Sequence, residues 1–185
     1  MGFIKTPIKG MNDFLPSDMR LREHVINMIK ETYATYGFSL IETPVMEHLG
    51  NLTGKQGGEN EKLIFPVMKR GADLQRAIEN GGELADSALR YDLTVPLSRY
   101  YANNQAVLTT PFKSLQIGNV FRADRPQKGR FRQFTQCDID ILGDSSILAE
   151  IELIAATTSM LTKIFEEVGI STVSYTHLTL PTIRL

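Results

Sequence analysis

The 185-residue chain has a single cysteine, Cys137, and no tryptophan. One cysteine cannot close an internal disulfide, and none of the three histidines joins it in a cluster with metal-ligand spacing. A disulfide scaffold and a zinc module are therefore excluded, no metal-ligating residue is assigned, and a reducing, cytoplasmic setting is expected. An excess of one charge is also missing, since 20 Lys and Arg against 21 Asp and Glu leave a net charge of -1. Contact with nucleic acid would have to come from a local basic patch, because the molecule as a whole offers no cationic field. No apolar run approaches membrane-spanning length. The opening MGFIKTPIKGMNDFLP is broken by Lys, Gly, Asp and Pro before the apolar middle of a secretory signal could form, so no membrane association is expected. The length and apolar fraction suit one globular domain with a substantial core.

Ser17 to Gly37 read as one helix, with Leu21, Val25, Met28, Ile29, Thr32 and Tyr36 at three-to-four spacing and Gly37 as its stop. Phe38 to Ile41 supply a short strand, limited by Pro44. Residues 50 to 61 form a polar, Gly-rich loop before the apolar Leu63 to Met68. Gly71 to Ala85 show no decisive period. Ala88 to Asp92 read as a strand, followed by a helix with Thr94 as N-cap and Pro96 just inside it. Lys113 to Arg122 and Arg132 to Leu142 read as a long antiparallel hairpin. Asp144 or Ser145 then caps a helix whose apolar stripe is Ile147, Ile151, Ile154, Thr158, Leu161, Phe165 and Val168. Strands and helices mixed in this way favour an α+β fold built on an antiparallel sheet.

Side chains alternate across a strand, so the second hairpin strand has two distinct faces. Its odd positions, Gln133, Thr135, Cys137, Ile139 and Ile141, form the smaller and more apolar set expected to pack, and Cys137 on that face is expected to act as a small apolar group. Its even positions are Arg132, Phe134, Gln136, Asp138 and Asp140. A solvated sheet face is the commoner origin of such a polar row. Two features shift the balance toward a binding site. The loop and its flanks bring Arg122, Arg125, Lys128, Arg130 and Arg132 against one acid, Asp124, and arginine forks fit phosphate oxygens. Phe134 shares the even face with Gln136 and Asp140, where a ring could stack on a base. Cations, an aromatic and acids on one face describe a site for a nucleotide plus a small cation. His24 and His48 carry no comparable pattern and are read as structural or surface residues.

The hairpin FRADRPQKGRFRQFTQCDIDILG resembles the second signature motif of the class II aminoacyl-tRNA synthetases, within them the histidyl-tRNA synthetases. LRYDLTVP resembles that family's segment for the substrate amino group, and KGMNDFLP and GFSLIETPVMEH resemble its opening and first motif. The resemblance runs from about Pro7 to Gly169. It implies a class II synthetase fold, antiparallel sheet flanked by helices and incomplete here, which joins histidine to ATP with Mg²⁺ and passes it to tRNA(His). It further implies that Arg122 contacts the α-phosphate and the histidine carboxylate, acting catalytically by charge alone. Asp124 would lie near the adenine, Arg130 at the outer phosphates and Phe134 on the base. Asp92, Leu93, Thr94 and Gln136 would hold the α-amino group, and Asp140 the imidazole. The family is homodimeric around its first motif, so self-association through Gly37 to Pro44 is expected.

No third class II motif, second histidine-binding motif or anticodon-binding domain is recognisable in the sequence. Residues 1–171 are therefore expected to form part of a catalytic domain, weak or inactive alone in charging tRNA, and residues 172–185 a non-native or atypical tail. Two other functions fit part of the pattern. A histidine-sensing regulatory subunit of ATP phosphoribosyltransferase shares the fold, although it has less need of the phosphate-binding set Arg122, Arg130 and Phe134. An RNA-binding module could use the basic hairpin, although the acids on the same face oppose this.

Overall fold

Helix α1 (Pro16–Thr35) opens with proline at its first position, where the missing N–H has no helical partner to lose, and Asp18 accepts a hydrogen bond from the Leu15 N–H at 3.2 Å. It stops as expected at Gly37, whose φ of 80° takes the chain out of the helix while its N–H donates to the Ala34 carbonyl. The computed structural model describes residues 2–54 and 60–169. After α1 come β1 (Ser39–Ile41), β2 (Met46–His48), α2 (Leu49–Leu52), a 3₁₀ turn (Asn60–Leu63), β3 (Phe65–Met68), α3 (Gly71–Glu79) and β4 (Ala85–Leu89). Helix α4 (Thr94–Asn104), β5 (Phe112–Phe121), β6 (Gln133–Leu142) and α5 (Ile147–Glu167) complete the order.

Among the described residues two three-stranded sheets result, ordered β1-β5-β6 and β2-β4-β3. The expected α+β arrangement is present. The hairpin of β5 and β6 is antiparallel throughout, from Phe112 opposite Leu142 to Phe121 opposite Gln133, and β1 joins β5 in parallel, Ser39 opposite Ser114. Both strands of β2 and β3 run antiparallel to β4. Helices α1 and α5 cover the odd face of the hairpin, where Ile29, Tyr33, Phe38, Leu115, Ala156 and Met160 form the main core and Ile117, Ile139 and Ile141 pack against it. The alternation read from sequence thus selects the packed side of β6, with one exception. Cys137 is solvent-accessible as a residue, while partial burial of its sulfur, and after it the Asp138 charge, push its thiol up to about 11.

Several local expectations need correction. The strand expected at Ala88 to Asp92 lies earlier, at Ala85–Leu89, and the segment without a decisive period folds as α3. Thr94 is the first helical residue of α4, not its cap: the cap position is Leu93, and Asp92 Oδ1 accepts the Val95 N–H at 3.3 Å. At α5 the cap position is Ser146, preceded by Asp144, which accepts the Ser146 N–H at 2.8 Å. The stripe expected to face the core on α5 largely faces outward, with Ile147, Ile151, Ile154 and Val168 all more than half exposed. The buried positions are Ala149, Ala156 and Met160, with Leu153 and Ile164 beside them. This helix is apolar around much of its circumference, so periodicity alone does not choose a side. The expected tail 172–185 and residues 55–59 of the Gly-rich loop lie outside the described residues.

Candidate functional site

The register places the even residues of β6 directly across from Val120, Gly118, Gln116 and Ser114 of β5, so Phe134, Gln136, Asp138 and Asp140 share one face with them. Moving along this face from the loop toward the far end of the strands, its chemistry changes from cationic and aromatic, to amide, to carboxylate.

At the loop end, Arg122, Asp124, Gly129, Arg130, Phe131 and Phe134 line one cleft. All four residues expected at the nucleotide, Arg122, Asp124, Arg130 and Phe134, are therefore brought together. The Arg122 guanidinium carbon stands 5.1 Å from the Phe134 ring centroid, and its Nε donates to the Tyr91 carbonyl at 3.1 Å. Arg130 lies 4.0 Å from Asp124 across the loop. Arg132, counted above among the phosphate cations, is engaged within the protein. Its Nε donates to the Asp124 carbonyl at 3.1 Å, its guanidinium carbon is 6.0 Å from the Phe65 ring, and its backbone N–H donates to the Gly10 carbonyl at 2.7 Å. Arg132 thus braces the hairpin loop, leaving Arg125, Lys128 and Arg130 as its exposed basic side chains.

In the middle of the face, Gln136 Oε1 is buried and has no hydrogen-bond partner among the described residues, and the same holds for Ser114 Oγ opposite Asp140. A buried acceptor left unpaired costs free energy, and a donor from a ligand would relieve it. Beyond Gln136 stands the carboxylate row. Burial raises Asp140, and raises Asp138 to about 6, with the charges of Asp140 and Asp92 adding to the shift at Asp138 and Arg122 opposing it. Asp92, on the loop between β4 and α4, therefore acts on the same patch as the β6 acids. Thr94 is exposed at the start of α4. Leu93 is buried, and its carbonyl accepts the Gln116 Nε2 hydrogen bond at 3.1 Å, so its side chain cannot itself meet a ligand.

Gln116 and Gly118, opposite Asp138 and Gln136, belong to this face and were not named by the reading of β6 alone, and Asp138 was named there without a ligand of its own. Asp138 had a signal, since it shares the even face. Gln116 could have been placed by the same alternation on β5. Arg90 lies in the segment LRYDLTVP, but its side-chain partners Thr43 and Asn119 are far away in sequence, so its contacts could not be read there. Among the described residues no group of three or more His, Cys, Asp or Glu is arranged to hold a metal ion.

A sequence model of histidyl-tRNA synthetase matches residues 10–181. The chain belongs to the histidyl-tRNA synthetase family. A curated histidine–tRNA ligase of Leifsonia xyli is 53% identical over 161 residues, covering 84% of this chain and 37% of that protein. The solved histidyl-tRNA synthetase of Nostoc sp. PCC 7120 superposes with a TM-score of 0.70 at 34% identity, over 87% of this chain and 34% of that one. A Bacillus halodurans structure described as an ATP phosphoribosyltransferase regulatory subunit/histidyl-tRNA synthetase gives a TM-score of 0.72 at 23% identity, over 88% of this chain and 39% of that one, and it shows the shared fold alone. The chain thus spans little more than a third of the length of the histidine–tRNA ligases it matches. Within the histidyl-tRNA synthetase family, the β5–β6 hairpin and the loop before α4 are the segments whose residues converge on one face here.

Proposed function

We propose that this face activates histidine with ATP and is the site from which histidyl-adenylate is passed to tRNA(His). Residues 1–171 would form part of the catalytic domain, in a cytoplasmic homodimer associating around Gly37 to Pro44. The carrying observation is the order along one sheet face: a cleft of Arg122, Asp124, Arg130 and Phe134, then the unpartnered Gln136 Oε1, then the acids Asp138 and Asp140. That order suits a nucleotide at the loop end and a doubly basic amino acid at the other.

In this reading Phe134 stacks on adenine, Asp124 lies at its edge, and Arg130 meets the outer phosphates. Asp92, Thr94 and Gln136 Oε1 take the α-ammonium, with Leu93 setting their spacing through its carbonyl bond to Gln116. Asp140 takes the imidazole N–H. A carboxylate oxygen of histidine attacks the α-phosphorus, a new P–O bond forms as the bond to the bridging oxygen breaks, and pyrophosphate leaves. A terminal ribose hydroxyl of tRNA(His) then attacks the acyl carbon, and AMP leaves. No protein nucleophile is required. Arg122 is catalytic by holding positive charge against the α-phosphate and the attacking carboxylate. Mg²⁺ would be held by the ATP phosphates and would offset their charge.

The test is histidine-dependent ATP–pyrophosphate exchange, with histidinol as competitor, in this chain and in the chain extended by the C-terminal portion of the Leifsonia xyli relative. Exchange in the extended protein, with little in the chain alone, is the expected result. Calorimetric histidine binding with no exchange in either would replace this reading with the regulatory one. RNA binding that is salt-sensitive and indifferent to ATP and histidine would replace it with a simple binding module.

A further inference from the structure

We infer that Arg90 is a positioning residue for the amino-acid end of the pocket, and that Gly118 is kept bare so that the Arg90 guanidinium can lie against β5. The inference rests on the histidine-activating reading and names a residue that reading does not use.

Arg90 is only 4% exposed, and a guanidinium so buried is costly unless every donor is engaged. The hydrogen bonds it makes here go to neutral oxygens. Nη1 donates to the Thr43 carbonyl at 2.6 Å, to Thr43 Oγ1 at 3.2 Å and to the Pro44 carbonyl at 3.4 Å, and Nε donates to the Asn119 carbonyl at 2.9 Å. Its backbone adds two further ties: the N–H donates to the Val45 carbonyl at 3.0 Å, and the carbonyl accepts the Phe121 N–H at 2.9 Å. Burial lowers the Arg90 pKa and the Glu42 charge raises it, but a guanidinium starts so high that the group stays charged. The planar fork therefore holds the chain after β1, strand β5 and the loop before α4 in one relative position.

Gly118 records how closely the guanidinium sits. A Cβ placed there would lie 2.3 Å from Arg90 Nη2 and 3.4 Å from Cζ, and Gly118 stands directly opposite Gln136 on the site face. The hydrogen bonds then continue in one direction toward the substrate residues. Arg90 donates to Thr43 Oγ1, Thr43 Oγ1 donates to Gln116 Oε1 at 3.2 Å, and Gln116 Nε2 donates to the Leu93 carbonyl at 3.1 Å. Thr43 and Gln116 are both buried, so each of these bonds is shielded from water. Asp92 and Thr94 flank Leu93, so the chain of donors ends where the α-ammonium would be held. The nucleotide residues Asp124 and Arg130, in the hairpin loop, and Phe134, at the loop end of β6, receive none of these bonds.

The experiment measures ATP–pyrophosphate exchange in the extended protein, separating the KM for histidine from the KM for ATP. A lysine at this position keeps the charge and loses the fork. Arg90→Lys should raise the histidine KM by about ten-fold or more, while the ATP KM changes by less than about three-fold, because a small misplacement of binding groups is felt mainly by the ligand they hold. Gly118→Ala, which pushes the guanidinium away without removing it, should move the histidine KM in the same direction. The double variant should show less than the product of the two single effects, because both disturb one contact. Should Arg90→Lys fail to fold, Gly118→Ala alone decides. Equal changes in both KM values, or a lowered melting temperature with the histidine KM unchanged, would overturn the inference and leave the proposed function standing. Absence of exchange in the unsubstituted extended protein would instead overturn the proposed function, and the inference with it.

Discussion

The two faces of the β5–β6 hairpin are made by the same strands and share every backbone hydrogen bond, yet they are chemically unlike. Toward α1 and α5 the hairpin presents Leu115, Ile117, Ile139 and Ile141. Away from them it presents Ser114, Gln116, Gly118, Gln136, Asp138 and Asp140. Period-two alternation lets one strand pair serve cohesion on one side and chemistry on the other, because a substitution at one position leaves the opposite face untouched. The comparison teaches that the polar row is tolerated because the apolar row, with two helices over it, supplies the core.

If the faces are separable, substitutions should sort by side. Leu115→Ala, at a residue 1% exposed, should cost roughly 2–5 kcal/mol of folding stability in a denaturant titration. Arg122→Ala should leave the denaturation midpoint nearly in place and reduce exchange in the extended protein by about 10²- to 10³-fold. A loss of stability from Arg122→Ala as large as that from Leu115→Ala would break the comparison.

Asp138→Asn sharpens it through pH. The folded-state pKa of Asp138 is raised from 3.8 to about 6, so the native state favours the protonated acid more than the unfolded chain does. Its contribution is fully present below the unfolded value and is lost as pH rises through about 6. Melting midpoints of Asp138→Asn relative to the parent should therefore climb across that window, and a flat difference would mean that burial and the neighbouring acids do not favour the protonated Asp138. The smallest effect is expected on α5. Ile151→Ala, at an outward-facing position 54% exposed, should change stability by less than about 0.5 kcal/mol, and a large loss would return the outward stripe to the core.

The legibility of these features follows from how local their causes are. The hairpin, its register and its even face were readable because strand alternation needs only neighbouring residues. The end of α1 was readable because Gly37 has a conformation that other residues rarely adopt. On α5, periodicity chose large apolar residues where close packing uses the small Ala149 and Ala156 instead. At α4 a threonine in front of a proline suggested a cap, while the side-chain oxygen that meets the first turn belongs to Asp92, two residues earlier. Arg90 lies within LRYDLTVP, but its contacts were not legible because its hydrogen bonds reach Thr43 and Asn119, and only the tertiary fold brings those carbonyls to one point. Arg132 was misjudged for a related reason: the Gly10 segment and the loop carbonyl that engage it come together only once the chain has folded.

Strand β6 ends its sheet, with β5 on one side and no strand beyond it among the described residues. The Gly10 carbonyl meets only its first amide, at Gln133, and the preceding Arg132. A strand of ten residues whose outer edge is unpaired among the described residues offers backbone groups onto which a further strand, of this chain or another, can pair, and proteins commonly guard such edges with charge. Asp138 and Asp140 belong to the strand that carries that edge. The acids read here as ligands for a basic amino acid would then also act as colloidal guards. Neutralising both together should show itself as turbidity on concentrating the protein, a defect of solubility distinct from any loss of affinity.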